Sequence, residues 1–218
     1  MGADNRSVWD GVATRQLARG ALEFGVELSA EQLSTFAVYI DTLLFWARRL
    51  SLTGATTAAQ VVSGHILDCL PLVRFVRAGW RVADLGSGAG FPGVPLAIVR
   101  PDAAQVLIES RRKRANFLRE VVRRCGLVNA EVLEERAEAV ARQRAESFDL
   151  VVSRAVWGMA EFLGLCRLLV RPGGLAIAMK GPRVPSQAVP PEEFSGPELF
   201  RYRLQGGVEH VLIVYRRY

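Results

Sequence analysis

Apolar residues recur at two different periods along the chain. Over residues 10–24, Val12, Leu17, Ala21 and Phe24 are spaced for one face of a helix. The stretch SAEQLSTFAVYIDTLLFWARRL then sets Leu33, Phe36, Ile40, Leu43, Leu44 and Ala47 at helical spacing, with Ser29 and Gln32 placed for a capping box. TTAAQVVSGHILDCLPLVRF predicts a third helical stretch, interrupted at Pro71. Past residue 80 the pattern changes. Short apolar runs (RVADL, AQVLIE, AEVLE, FDLVVS and LAIAMK) alternate with amphipathic segments at 92–100, 111–126, 136–145 and 158–170. That alternation predicts a parallel sheet with helices on both faces. A Pro-rich loop, 182–194, leads into ELFRYRL and VEHVLIVYRRY, joined by QGG, which predict an antiparallel hairpin. The expected organisation is an N-terminal helical cap, residues 1–78, and an open α/β sheet, 79–218, in one compact unit. With the hairpin, the sheet has seven strands and is mostly parallel.

Composition narrows the class. A length of 218 residues suits one sizeable domain, and a 50% hydrophobic content argues against disorder. The start, MGADNRSVWDG, lacks an apolar signal-peptide core, and no apolar run is long enough to span a membrane. Cys69, Cys125 and Cys166 lie far apart, with no CxxC or Cys/His spacing. Neither a disulfide framework nor a zinc site is expected, no metal is assigned to His65 or His210, and reduced thiols in the cytoplasm are the simple reading. The net charge of +6 suits a polyanion such as RNA, DNA or an acidic membrane surface, but charge alone does not choose among them.

The most informative stretch is RVADLGSGAGFPGVPLAI, where Asp84 ends an apolar run and Gly86, Gly88, Gly90 and Gly93 follow. Glycines at such a turn let backbone approach a ligand. Gly88, Gly90 and Gly93 satisfy the dinucleotide pattern G-x-G-x-x-G, with Glu109 about twenty residues on. Asp84, Gly86, Gly88 and Gly90 also satisfy the D-x-G-x-G-x-G turn of S-adenosylmethionine-dependent methyltransferases. Asp84 favours the second pattern: a carboxylate repels a pyrophosphate but attracts a sulfonium and an ammonium. Glu109 suits the ribose hydroxyls of either ligand. The third alternative is a tight strand-to-helix turn with no ligand.

DLGSGAGFPGVPLAIVRP resembles the glycine motif of the bacterial small-subunit ribosomal RNA guanine-N7 methyltransferases, the RsmG or GidB family. HILD at 65–68, KR followed by FL at 113–118, RAE at 136–138, SRA at 153–155 and MKG at 179–181 match in register. The resemblance covers roughly residues 38 to 181, and loosely the final hairpin. It implies a class I, Rossmann-like methyltransferase that uses S-adenosylmethionine. Cofactor contacts are implied at Gly86, Phe91, the Ala137–Glu138 backbone and Arg154, with Arg154 and Lys180 as the functional basic residues. The implied partner is small-subunit ribosomal RNA or the ribosomal subunit. This chain departs from the family pattern at Ala47 and Ser51, where asparagines are usual, at Glu109, where Asp is common, and at Glu209, where Arg is common.

The chemistry is consistent with these residues. Guanine N7 carries an in-plane lone pair and no proton, so attack needs no general base, and positioning supplies most of the rate. Arg154 and Lys180 suit O6, phosphate or the cofactor carboxylate, because a donor on N7 itself blocks the nucleophile. The run Arg111-Arg112-Lys113-Arg114 opens a helix, where positive charge opposes the dipole. The run is therefore read as an RNA-phosphate surface, extended by Arg48 and Arg49. A methyltransferase of the same fold acting on another substrate, and a non-catalytic S-adenosylmethionine-binding RNA factor, are the competing functions. A cytoplasmic monomer is expected.

Overall fold

The computed structural model describes residues 11–154, 158–181, 190–204 and 206–218. The start of the first expected helix, most of the Pro-rich loop, Gln205 of the expected hairpin turn and Ala155 of the SRA match lie outside them.

Helix α1 spans Gly11–Leu22 and α2 spans Ala30–Ala47. The expected capping box forms. Ser29 Oγ accepts from Gln32 N at 3.1 Å, and Gln32 Oε1 accepts from Ser29 N at 2.9 Å. Gln32 also donates to the carbonyls of Ile98 and Val99, so the residue that starts α2 docks it on the sheet domain. The third stretch is helical from Ala58 to Phe75 but not uniformly so. It runs through α3 (Ala58–Val61), a π turn (Val62–Ile66), α4 (Leu67–Cys69) and a 3-10 segment (Leu70–Phe75). Pro71 sits at the start of the 3-10 segment. There its missing N–H costs little, so the chain tightens rather than breaks.

The strands are β1 (Arg81–Leu85), β2 (Ala104–Ile108), β3 (Ala130–Leu133), β4 (Phe148–Arg154), β5 (Val170–Lys180), β6 (Phe194–Arg203) and β7 (Glu209–Arg217). Between them run α5 (Gly93–Val99), α6 (Arg112–Arg124), α7 (Ala137–Gln143) and α8 (Met159–Leu169). The sheet order is β3-β2-β1-β4-β5-β7-β6. The first five strands are parallel, and β7 runs antiparallel to β5 and β6. β5 begins earlier than expected. Val170 already pairs with Phe148, and a register shift carries the chain through Arg171–Gly174 before Leu175 pairs with Leu150.

Alternation along each strand fills two cores. Val82, Leu107, Leu150, Val152 and Ile177 face the cap helices and α5–α6, joining Leu17, Phe36, Ile66, Leu96 and Phe117. Ala83, Leu85, Val106 and Val151 face the other way, against Val140, Phe162 and Cys166 of α7 and α8. The cap thus shares one continuous core with the sheet. Strand order reverses between β1 and β4, and ligand crevices open above the strand ends at such a point.

Candidate functional site

The turn after β1 needs glycine at three positions: Gly86, Gly88 and Gly90 have φ of 72°, 55° and 96°. Its backbone donors are largely spent inside the protein. Gly86 N and Ser87 N donate to Ile108 O, Gly90 N donates to Ser87 O at 2.7 Å, and Gly88 N donates to Glu109 Oε2 at 3.1 Å. Gly93 N, at the start of α5, donates to Asp84 Oδ2 at 3.0 Å. A pyrophosphate needs such amides free, so this turn suits a ligand without phosphate.

Asp84 does not line the cavity beside the turn. It is 1% exposed and lies under the turn, on the same face as Val82. Its Oδ1 is buried with no partner among the described residues. Burial pushes its carboxyl up to about 7, opposed by the Gly93 and Ser87 hydrogen bonds. The sequence expectation placed Asp84 against the ligand's cations. The geometry makes it a strut for the turn.

The cavity, about 280 Å³, opens beside the turn and is lined by Gly86, Glu109, Arg111, Arg114, Ala137 and Glu138, among others. Glu109, at the end of β2, is 5% exposed, and its Oε1 accepts from Arg111 N at 2.8 Å. Each of its oxygens therefore holds one backbone donor and keeps a lone pair for a ligand hydroxyl. Glu135 and Glu161, with Arg136, add to the lining, and neither acid was singled out from the sequence. A phosphate-free nucleoside carrying ribose hydroxyls and positive charge fits this donor set.

Gly88, Gly90, Phe91, Arg154 and Lys180 lie outside that cavity's lining. Phe91 faces the cap. It meets Tyr39 edge-on at 5.7 Å, and the His65 ring stacks on it at 4.8 Å. Tyr39 donates to Ala89 O at 2.7 Å, so α2 holds the turn directly, although the sequence shows Tyr39 only as one more residue on a largely apolar helix. Arg154, ending β4, places its guanidinium 5.6 Å from the centre of the Phe91 ring. Its Nη2 contacts Gly64 O, His65 Nδ1 and Asp68. Arginine only donates, so His65 Nδ1 accepts and its proton sits on Nε2, facing Thr53 Oγ1 at 2.7 Å. Burial, then Arg154, lowers its pKa to about 4. Lys180 ends β5 beside Ser153, Met159 and Phe162.

The basic run divides. Arg111 and Arg114 line the cavity, and all four residues of the run also line a groove with Leu50 and Ser51. Arg114 Nη2 donates to Ser51 O at 3.1 Å. Arg49 stacks over Phe45 at 4.9 Å, while Arg48 faces a separate groove with Leu44 and Thr53. Glu209 pairs across the hairpin with Arg201 at 2.7 Å.

The strand order, the antiparallel last strands and the glycine turn define a Rossmann-like, S-adenosylmethionine-dependent methyltransferase fold. Solved structures agree. TYW2 from P. horikoshii, in complex with MeSAdo, covers 68% of this chain and 61% of its own at 17% identity, with a TM-score of 0.53. TrmN from Thermus thermophilus covers 82% of this chain and 52% of its own at 21% identity, with a TM-score of 0.51. The particular family is set by sequence: residues 32–193 match the family described as rRNA small subunit methyltransferase G, GidB, and the chain belongs to it. A ribosomal RNA small subunit methyltransferase G from Geobacter sp. (strain M21) is 37% identical over 169 residues, 78% of each chain. One from Chromobacterium violaceum is 39% identical over 168 residues, 77% of this chain and 79% of that protein. The family resemblance read from the glycine motif is borne out.

Proposed function

We propose that this chain transfers a methyl group from S-adenosylmethionine to N7 of a guanine in small-subunit ribosomal RNA, in the cytoplasm. The observation that carries the reading is the family match over residues 32–193, which spans the glycine turn, Arg154 and Lys180. The donor supplies a methyl carbon activated by positive charge on sulfur. Glu109 would accept from its ribose hydroxyls, Gly86 and the α7 start at Ala137–Glu138 would border it, and Gly88, Gly90 and Asp84 hold the shape of the turn beside it.

The remaining work is positioning. N7 has no proton to lose, and His65, stacked on Phe91 of the turn, is a neutral acceptor already engaged by Arg154, so a general base is not needed. Arg154 and Lys180 serve best by holding O6, phosphate or the donor carboxylate, which leaves the N7 lone pair free. Arg112 and Lys113, with Arg49, supply phosphate contacts, while Arg111 and Arg114 stand between the RNA groove and the donor cavity.

The test is methyl transfer to small-subunit RNA, run beside RNA binding across a salt series for the parent and for the Arg112→Ala/Lys113→Ala double variant. Binding to single-stranded segments is expected to weaken with salt at a log–log slope of roughly −0.7 per neutralised phosphate, and the double variant is expected to flatten it. Donor affinity is expected to stay unchanged. A parent slope near zero, with transfer to a protein or a small molecule, contradicts the RNA reading. Donor binding with no transfer to any RNA contradicts catalysis.

A further inference from the structure

Outside the donor cavity, a buried polar cluster centres on a residue that the proposed chemistry does not use. We propose that Asp68 is a positioning residue, a buried carboxylate that fixes Arg154 against Phe91 and ties the C-terminal hairpin to the glycine turn. It rests on the reading of Arg154 as a functional residue.

Asp68 is 3% exposed, yet it is fully engaged. Its Oδ2 faces Arg154 Nη2 at 3.2 Å. Its Oδ1 accepts from Tyr202 Oη at 2.7 Å and faces His210 Nδ1 at 2.9 Å. A carboxylate only accepts, so His210 presents Nδ1–H. Asp68 lies in the cap, and its three partners come from separate parts of the chain: the end of β4, β6 and β7. Arg154 is then fixed on three sides. Nη2 donates to Gly64 O at 3.1 Å and to His65 Nδ1 at 3.0 Å, and the guanidinium lies over the Phe91 ring against which His65 stacks.

The energetics favour orientation over stability as the result of this arrangement. Desolvating a buried ion pair offsets most of its attraction, so the pair adds little net stability while it holds a long, flexible side chain in one geometry. Arg154 without Asp68 keeps two neutral acceptors but loses its counter-charge. It is then free to follow solvent or RNA phosphate instead of staying over Phe91. Tyr202 and His210 act one step further out, by orienting the carboxylate.

The test is a double-mutant cycle read in single-turnover methyl transfer to small-subunit RNA, with unfolding by urea and donor calorimetry alongside, on the full chain. Asp68→Asn keeps the shape and removes the charge, and it is expected to slow the parent about 10- to 100-fold through misplacement of Arg154. In an Arg154→Ala background the same change is expected to cost less than about twofold, because the group it positions is gone. Equal slowing in both backgrounds, or no slowing in the parent, overturns the proposal. Should Asp68→Asn fail to fold, Tyr202→Phe replaces it in the cycle with the same expected non-additivity and the same overturning result. An Arg154→Ala variant with the parent's rate and donor affinity overturns instead the reading of Arg154 on which the proposal rests, so the two failures are distinct.

Discussion

Gly88 and Gly90 sit two residues apart in the same turn, both at positive φ, yet they should tolerate a methyl group very differently. A β-carbon at Gly88 meets nothing closer than Gly86 O at 3.6 Å and Arg114 Nη1 at 3.9 Å, which is ordinary contact. Gly88→Ala should therefore cost only the left-handed backbone, roughly 1–2 kcal/mol. At Gly90 the β-carbon falls 2.7 Å from Val94 Cγ2 and 3.0 Å from Tyr39 Oη. Tyr39 is fully buried and cannot retreat without breaking its bond to Ala89 O. Overpacking adds about 1–3 kcal/mol and the lost hydrogen bond about 1 kcal/mol to the same backbone cost, about 3–6 kcal/mol in all. Urea unfolding of the two variants without donor measures the difference. Adding Tyr39→Phe to Gly90→Ala removes the oxygen in the way, so the pair should lose about 1 kcal/mol less than the sum of the single changes. Equal losses for Gly88→Ala and Gly90→Ala, or strict additivity with Tyr39→Phe, would refute the packing argument.

Two buried groups should give opposite pH responses. His65, held at about 4 against an ordinary 6.5, contributes stability that is complete above pH 6.5 and lost as pH falls through 4. Asp84, raised from 3.8 to about 7, contributes stability that is complete below 3.8 and lost as pH rises through 7. Between pH 4 and 6.5 the two offset, so Asp84→Asn should make stability rise more steeply with pH than in the parent, and His65→Gln should make it rise less steeply or fall. Matching pH profiles for the parent and both variants, measured by urea unfolding, would remove the two groups from the linkage. Gly93→Ala should lower stability by about 1–3 kcal/mol or more, because its β-carbon would lie 2.1 Å from Leu107 Cδ2 and 2.9 Å from Asp84 Oδ2; an unfolding transition close to the parent's would contradict the tight approach of α5 to β1 and β2.

What the sequence reveals here is what is local. The switch from helical spacing to short apolar runs marks each strand, and the Ser29–Gln32 spacing marks the start of α2, because both patterns are fixed by neighbours in the chain. The direction of Asp84 was also within reach. Alternation puts it on the same face as Val82, under α5, whereas charge complementarity to a ligand points only to the strand end. The Asp68 cluster was not legible. Tyr202 lies 134 residues from Asp68, and Arg154 lies 89 from His65, so no spacing links them. His65 and Asp68 lie one turn apart, but that spacing does not show that both reach Arg154. The π turn through Val62–Ile66 was not legible either, since the apolar spacing predicts only a helical stretch there.

The most direct measurement is nucleoside mass mapping of small-subunit ribosomal RNA after incubation with this protein and isotopically labelled S-adenosylmethionine. The expected result is label in 7-methylguanosine at a defined position in the RNA, strongly reduced with Arg154→Ala. Label on another base or another atom of guanine, label on ribosomal protein, or no transfer by a protein that binds the donor would contradict guanine-N7 methylation of this RNA.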